Sequence, residues 1–434
     1  MGDLDLATPR RLHVVGVGGA GMSAIAEVLA GMGHQVSGSD LLDSPVLERL
    51  GALGVDVRVG HDATHVGPDV EAVAVSTAIS PGNPEVVVAR ERHIPVLRRA
   101  EVLAAICATR RTIAVAGTHG KTTTSAMLAT VLDGTGRRPS FVVGGQLLDL
   151  GTGARWDEGE WLVVEADESD GTFLRLPVEI AVVTSVEPDH LEHWGSFDAL
   201  ARGFGDFLAG AQVAVACADD QEAGRLGREV EAVTYGFDPD ADERILDYTA
   251  DRSGCRFTIA GRGEVAVPMP GRHNALNATA ALTAAVQAGV PFEEAAAAMG
   301  RFRGIGRRFQ LRGERNGVTY VDEYAHLPGE VRASLATARD GGWRRIVCVF
   351  QPHRYSRTQA LWRDFASAFD DADVLAVTEL YPAGEPPRPG VTGKLVLQAV
   401  LDANPHRRVA WLPDRAGLVA FLRRELRPGD LCLT

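Results

Sequence analysis

The stretch Thr112–Thr124, TIAVAGTHGKTTT, decides how this chain is read. Its first five residues are β-branched or small, as a strand covered on both faces requires. Gly117 and Gly120 then frame a turn, Lys121 and Thr122 follow, and a helix is expected from near Thr124. In this order of strand, glycine loop, lysine and hydroxyl, backbone N–H groups point at phosphate oxygens and the helix N-terminus adds positive potential. Lys121 would reach the β/γ-phosphates and Thr122 would ligate Mg²⁺. The general pattern has glycine six residues before the lysine, and Val115 stands there, so the loop is a shorter variant. An ordinary glycine turn is the alternative, and composition weighs against it. Of 44 basic residues only Lys121 and Lys394 are lysine. One of the two therefore sits where phosphate chemistry needs a compact ammonium.

Outward from this loop, the chain alternates short apolar strands with helical patterns, the grammar of α/β folds. Before it come RLHVVGV, a helix over about Ala20 to Ala30, QVSGSD, a helix near Pro45 to Leu53, EAVAVSTAI and a helix around Pro84 to Arg92. After it, WLVVEAD, IAVVTSV and VAVACAD read as further buried strands. The last part repeats the pattern with TYVDEYA, RRIVCVFQ and DVLAVTEL, separated by helices at Gly329 to Arg339 and Gln359 to Phe369. At 434 residues the chain exceeds one core. Three α/β domains are expected: a Rossmann-like one over 1–107, a central P-loop-type one over 108–306 and a second Rossmann-like one over 307–434. The chain stops at PGDLCLT, in or at the end of a strand, which reads as a truncated terminus. YPAGEPPRPGV is a loop.

A second glycine loop, GVGGAG at Gly16–Gly21, fits GxGxxG between a strand and a helix, with Asp40 closing the next strand. Such glycines cradle any diphosphate, a dinucleotide or a UDP-sugar, or simply make a turn. Two acidic segments, EADESDGTF (Glu165–Phe173) and EPDHLEHW (Glu187–Trp194), close strands of the central region. Strand ends are where α/β ligands sit, and carboxylates with a histidine there could hold Mg²⁺ against ATP phosphates. Glu165 and His190 are the preferred ligands. Each acid alone could equally be a solvated turn or a helix cap.

Composition narrows the classes. Apolar residues are 45% and charged ones 23%, with no apolar run long enough to span a membrane. The N-terminus lacks a secretory signal, so a cytoplasmic location is expected. Five dispersed cysteines make neither a disulfide framework nor a zinc site. A net charge of −13 argues against non-specific nucleic-acid binding and for small-molecule partners.

Taken together and in order, GVGGAGMS, GTHGKTTT, EADESDGTFL, EPDHLEHW, GRHNALNATAA, GRRF, DEYAHLPGEV, FQPHRYSRT and YPAGE resemble the UDP-N-acetylmuramate:L-alanine ligases of peptidoglycan synthesis, within the Mur ligase family. The resemblance spans nearly the whole chain. It implies an ADP-forming ligase that activates the lactoyl carboxylate of UDP-N-acetylmuramate as an acyl phosphate and passes it to L-alanine. The first domain would then bind the UDP-sugar through Gly16, Gly18, Gly19, Ala20, Gly21, Met22, Ser23, Asp40 and Ser76. ATP would meet Gly117, Thr118, His119, Gly120, Lys121, Thr122 and Thr123, with Asn274, Asn277 and Arg308. Thr122 and Glu165 would hold one Mg²⁺ and His190 a second, with Mn²⁺ able to substitute. Tyr324, His326, Arg354 and Arg357 match alanine-binding positions, paired guanidiniums suiting a carboxylate. Lys121, Glu165, His190, Arg308 and Glu323 would carry catalysis, and the chain would be a monomer or weak homodimer.

The chain departs from the family pattern at three places. Glu323 replaces an aspartate, Leu327 the second histidine of DDYAHHP, and Ser185 the asparagine of TNIEPDH. Other classes remain open: an NAD-dependent oxidoreductase, which leaves Lys121 unexplained, a non-catalytic nucleotide-sugar sensor, or a ligase adding a whole tripeptide to the same sugar nucleotide. Closure of domains around the substrates is expected.

Overall fold

The structure is a computed structural model that describes residues 4–434, the Glu192 side chain excepted. Three sheets, each flanked by helices, follow one another along the chain. The first has five parallel strands in the order Asp56–Val59, Gln35–Asp40, Arg11–Val15, Ala72–Val75, Val96–Arg98. The order reverses at Arg11–Val15, and the loop leaving that strand carries Gly16–Gly21 into the helix Ala20–Gly31. A ligand site is expected at such a switch point.

In the second sheet Arg111–Ala116 lies between Ile180–Val183 and Trp161–Glu165, parallel to both. Strands Val213–Cys217 and Val233–Gly236 extend it on one side, and Ser140–Val142 with the short antiparallel Ala154–Arg155 on the other. Three further strands between Glu243 and Val267 complete its ten, and the sequence reading had named none of them. Because Arg111–Ala116 is central, the glycine loop after it is flanked by the ends of both neighbours. The acidic segment Glu165–Phe173 begins at one of those ends, and Glu187–Trp194 follows the other, Val183, after a short connection.

The third sheet runs Gln310–Arg315, Val318–Asp322, Asp430–Leu433, Arg345–Phe350, Val374–Val377, Val409–Trp411, with only the first pair antiparallel. The closing strand of the chain is thus interior, and Leu431, Cys432 and Leu433 are buried. The helix expected at Gln359 to Phe369 instead starts earlier, as Tyr355–Leu361, and tightens to a 3₁₀ turn over Trp362–Ser367. Phe365 and Phe369 both pack on Phe350, with ring centroids 5.1 Å away in each case, and this packing overrides the 3.6-residue period.

The chain divides into two compact units. One comprises residues up to Leu246 with Thr258–Val265 and Leu276–Arg303, and the other Asp247–Phe257, Ala266–Ala275 and Gly304–Thr434. The first sheet and the second sheet's strands up to Val233–Gly236 lie in the first unit and contribute to one apolar core. Their junction is specific: Thr152 Oγ1 donates to Glu27 at 2.9 Å, and the Arg110 guanidinium lies 4.3 Å above the Trp156 ring.

Candidate active site

The phosphate-type loop is shaped by glycines that no other residue could replace without strain. Gly117 has φ +140°, and a Cβ there would stand 2.1 Å from Thr184 Oγ1. At Gly120, φ +82°, it would stand 2.6 Å from Asn277 Oδ1. The helix Lys121–Gly134 starts directly after it. Ser185, which sequence reasoning left without a role, fastens this loop. Its Oγ accepts from His119 N at 3.0 Å and its carbonyl from Thr118 N at 2.9 Å. Thr118 Oγ1 in turn accepts from Glu187 N at 2.8 Å, and His119 Nε2 lies 3.4 Å from the Glu187 carboxylate. Thr123, next to Thr122, is half-buried.

Thr122 and Glu165 come together: Oγ1 donates to Oε1 at 2.9 Å, while Gly144 N donates to Oε2 at 2.6 Å. A hydroxyl and a carboxylate are hard oxygen donors of the kind Mg²⁺ takes, so this pair fits that ion. Among the described residues no three His, Cys, Asp or Glu side chains group into a ready-made cage. Thr122 and Glu165 are the residues that would hold such an ion. His190 has φ +50°, takes the N-cap of the helix Leu191–Trp194, and its Nε2 stands 3.5 Å from Asp189. Asn277 accepts from Thr124 Oγ1 at 3.2 Å, on the helix that follows the loop. Asn274, one turn earlier than Asn277, is buried and donates to Pro270 O at 2.7 Å. Lys121 pairs with Glu168, a contact sequence reasoning missed although EADESD had been singled out.

The N-terminal loop is built on the neighbouring strand. Ser39 O accepts from Gly16 N at 2.8 Å and Val17 N at 3.0 Å, and Asp40 Oδ2 from Gly18 N at 2.9 Å. A Cβ on Gly18 would meet that Asp40 oxygen at 2.9 Å, so the carboxylate itself shapes the turn. Gly19 N-caps the helix; Ala20 and Gly21 open it, Met22 is buried within it, and Ser23 Oγ bonds back to Ala20 O at 3.0 Å. Ser76 Oγ lies 3.9 Å from the position of a Cβ on Gly16. Behind Ser39 stands Glu85, wholly buried, which accepts from Ser39 Oγ at 2.5 Å and lies within 3.4 Å of His13, His61 and His65. Burial alone would raise its carboxyl, but the His13, Ser39 and His65 contacts hold it at about 2.

In the second unit, the expected amino-acid residues gather around His353, which sequence reasoning had not assigned. Tyr324, His326 and Tyr381 surround its ring with centroids 6.1, 5.6 and 5.6 Å away. Arg357 donates to His353 Nδ1 at 3.0 Å, which fixes that nitrogen as the acceptor. Burial first, then Arg357, His326 and Arg354, bring the imidazole down to about 4, so it is neutral at physiological pH. Arg354 has φ +68° and its N–H donates to Tyr381 O at 2.8 Å, tying YPAGE to FQPHRYSRT. Glu385 of the same motif accepts from Ser356 N at 2.9 Å at the start of the next helix. Glu330 accepts from His326 N at 2.9 Å and lies 3.8 Å from Arg308. Glu323 clamps two loops, accepting from Phe309 N at 2.9 Å and Ala325 N at 3.0 Å, and burial raises its carboxyl against the pull of Arg308.

Three successive family models match: Mur ligase family, catalytic domain, over residues 11–111; Mur ligase middle domain over 115–285; and Mur ligase, glutamate ligase domain, over 307–434. The chain belongs to the Mur ligase family. Among its relatives, a UDP-N-acetylmuramate–L-alanine ligase of Solidesulfovibrio magneticus is 47% identical across 98% of this chain and 94% of its own length. The protein of that name in Agrobacterium fabrum is 43% identical across 96% and 92%. A solved structure described as UDP-N-acetylmuramate-alanine ligase, from Thermotoga maritima, matches with a TM-score of 0.81 at 28% identity, covering 98% of this chain and 94% of the other. The three-domain α/β architecture expected from the sequence is that of this family. No helix among the described residues is long and apolar enough to cross a membrane.

Proposed function

We propose that the chain joins L-alanine to the lactoyl carboxylate of UDP-N-acetylmuramate at the expense of ATP, a step of peptidoglycan precursor synthesis in the cytoplasm, acting as a monomer or weak homodimer. Near-full-length identity of 43–47% to ligases of that name carries this reading. The division of labour is 1–107 for the UDP-sugar, 108–306 for ATP and Mg²⁺, and 307–434 for the amino acid.

In this reading a lactoyl oxygen attacks the γ-phosphorus and ADP leaves, giving an acyl phosphate. The alanine amine then attacks the acyl carbon, and phosphate departs with the bridging oxygen. Most of the work is positioning and charge stabilisation. Lys121 and the loop amides from Gly117 to Thr123 face the phosphates, with Asn274 and Asn277 beside the nucleotide and Arg308 toward the γ-phosphate. Two Mg²⁺ ions, replaceable by Mn²⁺, would neutralise phosphate charge when bound; Thr122 and Glu165 would hold one and His190 the other. Glu323 holds the Arg308 loop in place. Gly16 to Ser23, with Asp40 and Ser76, receive the UDP-sugar. Arg354 and Arg357 take the alanine carboxylate, with Tyr324 and His326 beside them. Neutral His353 supports this by accepting from Arg357 and so aiming its guanidinium.

The test is phosphate release from MgATP and UDP-N-acetylmuramate with and without L-alanine. Release that depends on alanine and matches amide formed supports the reading. Release that requires an alanyl-containing tripeptide, or no release, contradicts it.

A further inference from the structure

The ammonium of Lys121 has three acceptors. Nζ donates to Gly117 O, to Thr118 O at 3.4 Å and to Glu168 Oε1 at 2.9 Å. Two are carbonyls of its own loop. The third is a carboxylate only 2% exposed, brought in by the segment after strand Trp161–Glu165. Its other oxygen, Oε2, is buried and accepts no hydrogen bond among the described residues. Burial holds this carboxyl above its ordinary value even against the pull of Lys121. Leaving a buried carboxylate oxygen unpaired is costly, and such a cost is typical of groups kept for function.

Glu168 is also fixed from behind. Its carbonyl accepts from Trp194 Nε1 at 3.0 Å, and that ring packs edge-on against buried Phe173 with centroids 6.0 Å apart. Its neighbour Asp167 accepts from Ser169 N at 3.0 Å and pairs with Arg99 at 3.3 Å. A lysine is a point charge on a flexible four-carbon stem, and its value to a transition state depends on where that charge is held.

We propose that Glu168 is the positioning residue of the phosphate-loop lysine: it keeps Nζ aimed while the two carbonyl bonds are exchanged for phosphate oxygens of ATP. The proposal rests on the reading of this loop as the ATP site. Glu168 itself touches no reacting atom; it acts through Lys121.

The composition of the chain supplies the probe, since Lys121 and Lys394 are its only lysines. Protein grown on ¹³C-lysine shows one Cε signal for each. In Glu168→Gln the Lys121 signal is expected to move and that of Lys394 to stay. The kcat/KM for ATP is expected to fall at least about tenfold, the scale of a lost hydrogen bond between charged groups, while KM for alanine is unchanged. An unmoved Lys121 signal with unchanged kcat/KM overturns the proposal. Should Glu168→Gln not fold, judged by circular dichroism, Glu168→Asp is read in the same two ways, its shorter side chain drawing Nζ from its place. Lys121→Ala separates failure of the ATP site from failure of the Glu168 role. If it keeps turnover, the ATP-site reading fails and takes Glu168 with it; if it is inactive while Glu168→Gln is normal, only the role of Glu168 fails.

Discussion

Thr122 Oγ1 and Glu165 Oε1 lie 2.9 Å apart, joining the first turn of the helix after the phosphate loop to the end of the adjacent strand. Parallel pairing of Arg111–Ala116 with Trp161–Glu165 sets this distance. The two oxygens act as a unit if they share one cation. Glu165→Gln, which keeps the shape and removes the charge, is expected to lower kcat by about 100-fold or more. Thr122→Ala should lower it too, and the double variant should be little worse than the poorer single one, because partners in one site are not additive. Steady-state phosphate release at saturating MgATP checks this, and strictly additive losses would count against a shared ion.

Gly120 and Gly136 both have positive φ, +82° and +75°, but only Gly120 has no room for a side chain. Gly136→Ala is expected to cost about 1 kcal/mol from backbone strain alone and leave turnover intact. Gly120→Ala should lower stability further and abolish ATP turnover, since the methyl displaces Asn277 Oδ1. Thermal melting with parallel assays distinguishes the two.

Arg357 and His353 form a donor–acceptor pair at 3.0 Å. Arg357→Ala is expected to raise KM for alanine by about 10- to 100-fold, the scale of losing a charged hydrogen-bond pair, with KM for ATP unchanged. Arg357→Lys should recover little of this, because an ammonium cannot reproduce the planar fork. An equal rise in both KM values would show a general disturbance of the unit instead.

His273, whose ring nitrogens lie 3.4 and 3.5 Å from Thr337 Oγ1, is brought down by burial to about 4. The unfolded imidazole binds its proton near 6.5 and the folded one does not until near 4. The unfolded state therefore holds more protons in that window, and stability rises with pH across it. The contribution is complete above about pH 6.5 and lost as pH falls toward 4. Melting temperatures of wild type and His273→Gln should converge as the pH falls through this range, and parallel curves would argue against it.

The glycine loops and the strands before them were legible in the sequence because their constraints are local. Gly16–Gly21 and Gly117–Gly120 each follow an apolar strand and open a helix. The pairing of Thr122 with Glu165 was foreseen only as a shared metal ligation, and its geometry depends on which strands are neighbours. Glu168, Ser185 and His353 lay inside or beside quoted motifs, yet their partners are 47, 66 and 4 residues away, and for the first two only sheet order brings the partner near. The strands between Glu243 and Val267 were missed because the recurring charged and polar residues of Glu243–Asp251 read as a solvated segment until its alternating burial is known. The 3₁₀ turn at Trp362–Ser367 follows from the packing of Phe365, which no periodicity predicts.

The most direct test of the account follows one oxygen atom. UDP-N-acetylmuramate carrying ¹⁸O in its lactoyl carboxylate is turned over with MgATP and L-alanine, and the phosphate released is weighed by mass spectrometry. One ¹⁸O is expected in each phosphate, in step with amide formation, because the carboxylate oxygen that attacks the γ-phosphorus departs with it. Unlabelled phosphate accompanying amide product would contradict the acyl-phosphate route and with it the roles given to Lys121, Thr122 and Glu165.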